Sequence, residues 1–190
     1  MENENKNFSE FFQDELILID NQNFKDDRGG FVIFWSMDNE YTQGHSFMPY
    51  QMNQSDNAKF VVRGLHSQTN GREQRKIVWV SQGRVMDVVV NINPNSPQFG
   101  KVYKFELSSE NKKSLFIGES YLHGFISLEE RTIVNYLVDR PFSADYQVSV
   151  YPFDEELNID WGIEMIYANM SERDLNGQSF LNFKQQINKV

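Results

Sequence analysis

Apolar and polar residues alternate with a period of two along most of the chain, the repeat of a strand with one buried face. Runs rich in β-branched and aromatic residues at 31–35, 59–62, 76–80, 84–90, 102–107 and 132–138 predict strands. Turn-forming clusters separate them: Asp26-Asp27-Arg28-Gly29-Gly30, Asn70-Gly71, Gln82-Gly83, Asn93-Pro94-Asn95-Ser96-Pro97 and Arg140-Pro141. Short strands at this spacing, with no long helical period between them, predict an antiparallel sandwich or barrel. Only the ends depart from it: 1–10 reads as a polar, frayed tail and 179–189 as helical. No repeat, low-complexity tract or linker interrupts the pattern, so residues 1–190 read as a single domain.

Composition narrows the function classes. A chain of 190 residues is long enough to bury a core. Its net charge of -9 argues against a nucleic-acid partner, while leaving room for a local basic pocket. With Cys 0 there is no disulfide, thiolate metal site or cysteine nucleophile. Neither a signal-peptide pattern nor an apolar stretch of spanning length is visible, which predicts a cytoplasmic protein with no membrane segment. Trp35, Trp79 and Trp161 read as core or interface anchors, Asp154-Glu155-Glu156 as a solvated face, and His45 as a loop residue.

Candidate chemistry concentrates in Val62-Arg63-Gly64-Leu65-His66 and in Lys76, ten residues after the histidine. An imidazole takes a proton from carbon next to a ketone only if a cation or hydrogen-bond donor holds the enolate oxygen that forms. His66 and Lys76 are suited to be that pair, although an isolated strand histidine is also a common structural residue.

Further landmarks stand in register with these two: Asp27-Arg28-Gly29, Gln51 with Asn53, Gly83 followed by Asp87, Asn95-Ser96-Pro97 with Phe99-Gly100, Leu122-His123-Gly124-Phe125, Tyr136, Ile159-Asp160-Trp161 and Ser171-Glu172-Arg173-Asp174. In this order and spacing, over roughly residues 15–175, they resemble the dTDP-4-dehydrorhamnose 3,5-epimerase family. The resemblance implies an all-β, cupin-like double-stranded β-helix (jelly roll) with short irregular or helical ends. It also implies a cofactor-independent, metal-free epimerase acting on a nucleotide-linked 4-keto-6-deoxy sugar, with dTDP as the favoured nucleotide, at carbon 3, carbon 5 or both. His66 would be the base, Asp174 its orienting carboxylate, Lys76 the enolate-binding cation and Tyr136 the acid on the opposite face. Arg28, Phe31, Gln51, Asn53, Arg63, Asp87, His123 and Arg173 would bind the substrate, with Arg28 and Arg63 on phosphate and Phe31 offering an aromatic face. Family members form twofold dimers with exchanged strands, for which 15–19 is the candidate run.

Several positions depart from the family pattern. Ile33 stands where Glu is common, Pro141 and Phe142 where Tyr residues close over the nucleotide, Ser67-Gln68 after the base, Asn91 and Asn93 after Asp87, and Gly118 and Ser120 before the second histidine. The proton-transfer set is kept while the binding surface is altered, so the nucleotide and the number of inverted centres stay open. Three alternatives remain at this stage. A metal-dependent cupin enzyme would use His66, Glu73 and His123, with Gln68 replacing a second histidine ligand. A sugar 3,4-ketoisomerase would want a second histidine near Ser67. A non-catalytic nucleotide-sugar binding cupin would have no need of the retained base and acid.

Overall fold

The computed structural model describes residues 9–12, 15–38 and 47–187. Of the tail expected over 1–10, residues 1–8 lie outside the described residues, as does His45, while Ser9 and Glu10 belong to the first strand. The first strands are β1 (Ser9–Phe12), β2 (Leu16–Asp20), β3 (Asn23–Asp26), β4 (Gly29–Val32), β5 (Gln51–Asn57), β6 (Val62–Gln68) and β7 (Lys76–Gln82). They are followed by β8 (Arg84–Asn91), β9 (Val102–Ser108), β10 (Lys113–Ile117), β11 (Tyr121–Ser127), β12 (Thr132–Val138) and β13 (Gln147–Ser149). Two short helices, α1 (Glu172–Leu175) and α2 (Phe180–Ile187), close the described chain.

The strands form a six-stranded sheet in the order β1-β2-β10-β7-β12-β5 and a five-stranded sheet in the order β13-β6-β11-β8-β9, with β3-β4 as a separate hairpin. The two sheets face each other as a jelly roll. Val78, Val80, Leu115, Ile117 and Val134 of the first pack against Val85, Val89, Phe105, Leu107 and Phe125 of the second. The C-terminal segment then covers the outer face of the second sheet, where Trp161, Phe180 and Phe183 bury Val88, Val90 and Leu122. That double cover explains why Val88-Val89-Val90 is uninterrupted: with both faces dry, each register position favours an apolar residue. The tryptophans are core anchors. Trp79 stacks on Phe34 with ring centroids 5.3 Å apart, Trp35 packs on the same cluster, and Trp161 donates its indole N–H to the Pro152 carbonyl at 2.8 Å.

Three readings of the strand pattern change. The run 31–35 leaves the hairpin after Val32, so that Phe34 and Trp35 can cover the outer face of the first sheet. The run 59–62 contributes only Val62, because the chain turns at Phe60 with φ 64°. The run 15–19, expected to cross to a partner's sheet, lies as β2 between β1 and β10 of its own chain, with Leu16, Ile17 and Ile19 fully buried.

The two strands that carry the candidate histidines touch through glycine. A Cβ built on Gly64 would lie 2.6 Å from the Gly124 Cα, and one built on Gly124 would lie 2.5 Å from the Arg63 carbonyl oxygen. Both obstacles are backbone atoms, which cannot rotate aside. Gly64 also has φ 113°, a conformation that L side chains disfavour. Gly124→Ala is therefore expected to lower stability by about 1–3 kcal/mol, the usual cost of overpacking, as measured by urea unfolding. An unchanged midpoint would show that β6 and β11 can part without penalty.

Candidate active site

A cavity of about 570 Å³ opens between the two sheets at one end of the sandwich. The five-stranded sheet contributes Arg63 and His66 from β6 and His123 from β11. From the six-stranded sheet come Lys76 on β7, Tyr136 on β12, and Asn53 and Ser55 on β5. Arg173 and Asp174 reach in from α1. On β7 and β12, Lys76 and Tyr136 follow the period-two positions of Val78, Val80 and Val134, so the rule that builds the core also aims them inward. Arg63 and His66 break that rule. They are three residues apart yet line one cavity, because the pairing of β11 with β6 slips in register between His123 and Phe125, beside Gly64.

His66 and Asp174 form a dyad across 108 residues of sequence, with Nε2 2.6 Å from Oδ1. Burial pushes the Asp174 carboxyl up, but hydrogen bonds from His66, Ser171 and the Gly64 backbone outweigh it and hold the group below the ordinary carboxylate range. An ionised carboxylate only accepts hydrogen bonds, so His66 Nε2 carries a proton, and in the neutral imidazole the lone pair falls to Nδ1. Ser171 Oγ donates to the second carboxylate oxygen at 2.8 Å. The His66 side chain is 32% exposed and that of Asp174 4%, the expected contrast between a group that meets a ligand and one that orients it.

Facing the dyad, Tyr136 spans the gap between the sheets. Its ring lies edge-on to that of His123 at 6.4 Å, and its hydroxyl is 3.5 Å from Ser55 Oγ. Burial pushes the phenol well above its ordinary value, so Tyr136 is a proton carrier at neutral pH. Burial pushes the Lys76 ammonium down to about 8, against the upward pull of Asp87 and Asp139. Its charge is therefore held through neutrality and lost as the pH climbs past that value. Arg63 donates Nε–H to the buried Asn57 Oδ1 at 2.8 Å, and the Arg173 guanidinium is held by Gln147 Oε1. Within an acidic chain, the lining thus carries the cations Arg63, Lys76 and Arg173.

Four expected residues lie elsewhere. Asp87 is fully buried behind His123, whose Nε2 is 3.0 and 2.9 Å from its two carboxylate oxygens, and it does not line the cavity. Gln51, exposed at the start of the edge strand β5, donates to Asn53 Oδ1 at 2.5 Å and does not itself line the cavity. Arg28 and Phe31 sit on the β3-β4 hairpin, away from the cavity of their own chain. Arg28 is 90% exposed and folded back on Asp26 at 2.5 Å, while Phe31 is 65% exposed beside Phe24. Glu73 accepts from the Gly71 backbone N–H at 3.3 Å and does not line the cavity, so it does not converge with His66 and His123. Ser55, Gln74 and Gln147 line the cavity without having been singled out in the sequence. Ser55 lies two residues from Asn53 on one strand, a spacing that would have found it, whereas the position of Gln147 on the short β13 carried no such signal.

A carboxylate-held imidazole in the cavity wall, faced by a protonated phenol and a cation, suits proton transfer to and from carbon, and on this jelly roll it defines a cupin-like isomerase. Residues 13–182 match the dTDP-4-dehydrorhamnose 3,5-epimerase family. The chain belongs to that family. It is 33% identical over 164 residues to the dTDP-4-dehydrorhamnose 3,5-epimerase of Methanothermobacter thermautotrophicus, covering 86% of this chain and 88% of that protein. The crystal structure of the Elizabethkingia anophelis dTDP-4-dehydrorhamnose 3,5-epimerase superposes with a TM-score of 0.86 at 31% identity, over 93% of this chain and 97% of that one. The Legionella pneumophila epimerase crystallised with dTDP-4-keto-L-rhamnose gives 0.84 at 31% identity, over 90% and 92%. Among the described residues, no helix is long and apolar enough to cross a membrane.

The Lys76 environment is open to direct measurement. With lysines labelled at Cε, carbon NMR should show one side chain whose shift changes as the pH rises through about 8, where the cation gives up its proton. That transition should be missing from Lys76→Met. A wild-type chain in which every lysine titrates near 10 would contradict the assignment.

Proposed function

We propose that the chain is a cofactor-independent epimerase that inverts carbon 3, carbon 5 or both of a nucleotide-linked 4-keto-6-deoxy sugar. The observation that carries this reading is the placement of His66 and Tyr136 on opposite sheets, across one cavity that also holds Lys76. His66 Nδ1 takes a proton from carbon next to the ketone, and the C–H electron pair moves into an enolate whose oxygen faces the Lys76 ammonium. Tyr136 then gives its proton to the other face of that carbon, and the ring leaves inverted. A single base working on one face would return the starting configuration, so two walls are required. Asp174 holds the imidazole and stabilises the imidazolium while the enolate exists.

Arg63 and Arg173 stand ready for the diphosphate, and Asn53, Ser55 and His123 for the sugar. The Legionella relative bound to dTDP-4-keto-L-rhamnose supports a thymidine nucleotide. Phe142, on the cavity lining, offers an apolar face in place of the expected tyrosines. A cytoplasmic location goes with this reading.

Arg28 and Phe31 fit the same function through a second copy of the chain. The hairpin carries them outward, and Met48, Tyr50 and Met52 leave an exposed apolar strip along the free edge strand β5. A twofold dimer that seats each hairpin over the other subunit's cavity would complete both nucleotide sites. The exchanged element is then the hairpin rather than the run 15–19.

Proton NMR in deuterated water with dTDP-4-keto-6-deoxyglucose, following the signals at carbons 3 and 5 separately, tests the chemistry. Deuterium should enter at one or both carbons. His66→Ala should abolish exchange, and Tyr136→Phe should permit exchange while impairing net inversion. Exchange near the wild-type rate in His66→Ala would mean that another group is the base. Subunit mixing tests the dimer. Folded His66→Ala and Arg28→Ala chains, each inactive alone, should regain about a quarter of wild-type activity when combined, since half the dimers then hold one intact site of two. No recovery, with mixed dimers present, would assign Arg28 to its own subunit or to no site.

A further inference from the structure

We propose that Ser171 is a positioning residue for the His66–Asp174 dyad, locking the carboxylate so that a single oxygen meets the imidazole. This rests on the proton-abstraction reading. A carboxylate orients a base only if it is itself held. Asp174 lies on α1, a helix of 4 residues, and nothing in a single turn fixes the rotation of its side chain. Ser171 ties it at both ends. The Ser171 Oγ–H donates to Asp174 Oδ2 at 2.8 Å, and the same oxygen accepts the Asp174 backbone N–H at 3.2 Å as the helix N-cap. With Oδ2 engaged, Oδ1 is the atom offered to His66 Nε2, at 2.6 Å.

Besides His66, the carboxylate has one other donor, the Gly64 backbone N–H, so Ser171 supplies the remaining side-chain hold on it. Arg173, the adjacent cation, is turned to Gln147 Oε1. Asp174 is 3% exposed, so solvent has poor access to replace a lost donor. Without the hydroxyl, only the Gly64 N–H would be left to hold the carboxylate against the imidazole, and its looser grip would widen the range of angles at which Nε2 meets it. Nδ1 would then spend less time aimed at the substrate carbon. Among the described residues, the other charged or titratable groups sharing the cavity, Arg63, Lys76, His123, Tyr136 and Arg173, make no side-chain hydrogen bond with Ser171, whose hydroxyl is engaged by Asp174.

Ser171→Gly separates the two jobs of this serine, because glycine is a tolerated N-cap but has no hydroxyl. Deuterium exchange into the keto sugar should slow about ten- to a hundredfold in kcat, the loss expected for one hydrogen bond to a charged group, with KM unchanged. Ser171→Thr, which restores the hydroxyl, should recover most of it. Without any substrate, the downfield proton resonance of His66 Nε2, identified by its absence in His66→Gln, should be lost to solvent exchange in Ser171→Gly and return in Ser171→Thr. Should the glycine variant unfold, Ser171→Cys, nearly isosteric but a weak donor, carries the same comparison. A folded variant with wild-type kcat and an undisturbed Nε2 proton would overturn the proposal. If the wild-type enzyme exchanges no carbon-bound proton yet the resonance behaves as stated, the proton-abstraction reading falls and the positioning role stands.

Discussion

The contact of Gly64 with Gly124 is the constraint on which the site depends. Two backbones approach until even a methyl group on either has no room, and the register of β6 against β11 slips beside that contact. The slip lets Arg63 and His66 share one cavity despite their odd spacing, and it leaves His66 directly opposite His123. Without it, regular pleating would send one of the two to the outer face, where the C-terminal segment packs. The five-stranded sheet thus serves two incompatible demands, a continuous core on its outer side and a polar wall on its inner side, by breaking its period once.

The electrostatics follow from the same division of labour. Acidic residues on the outside give the chain its net charge of -9, whereas the cavity wall gathers Arg63, Lys76 and Arg173 around one ionised carboxylate. Burial acts on each proton-handling group in a different sense. It brings the Lys76 ammonium towards neutrality, drives Tyr136 to stay protonated, and is overruled at Asp174 by three hydrogen bonds. One cleft thereby holds a charged ammonium, a protonated phenol and an ionised carboxylate beside the imidazole. Behind this wall, Asp87 fixes His123 from a fully buried position, which is why it bears on the site without lining it.

Much of this was legible in the residues, and the exceptions have physical causes. Alternation marked β7, β8, β9 and β12, where one or both faces are dry. It missed β5, whose Gln51-Met52-Asn53-Gln54-Ser55-Asp56-Asn57 is polar almost throughout because the strand is an exposed edge, and it missed β11, buried at every position and so without contrast. His66 and Lys76 stood out as a base and a cation, Tyr136 and Asp174 came in through the family resemblance, and the fold brings all four to one cavity. Arg28 and Phe31 were equally visible as motifs, but the pattern along the chain did not show that their hairpin projects away from the cavity of its own chain. Ser171 stood within a recognised landmark, yet its grip on Asp174 is a matter of rotamer and distance, which spacing does not encode.

The separation of the dyad has a consequence for how the protein comes into being. His66 lies in the first half of the chain, whereas Asp174 follows 108 residues later on a single helical turn. Synthesis runs from the N-terminus, so the strands that carry the histidine, the lysine and the tyrosine can assemble while the carboxylate is still untranslated. A nascent chain at that stage has a cavity without the partner that aims its base. On the proposed mechanism, full activity would have to await docking of the segment that carries α1, the last element of the site to be synthesised.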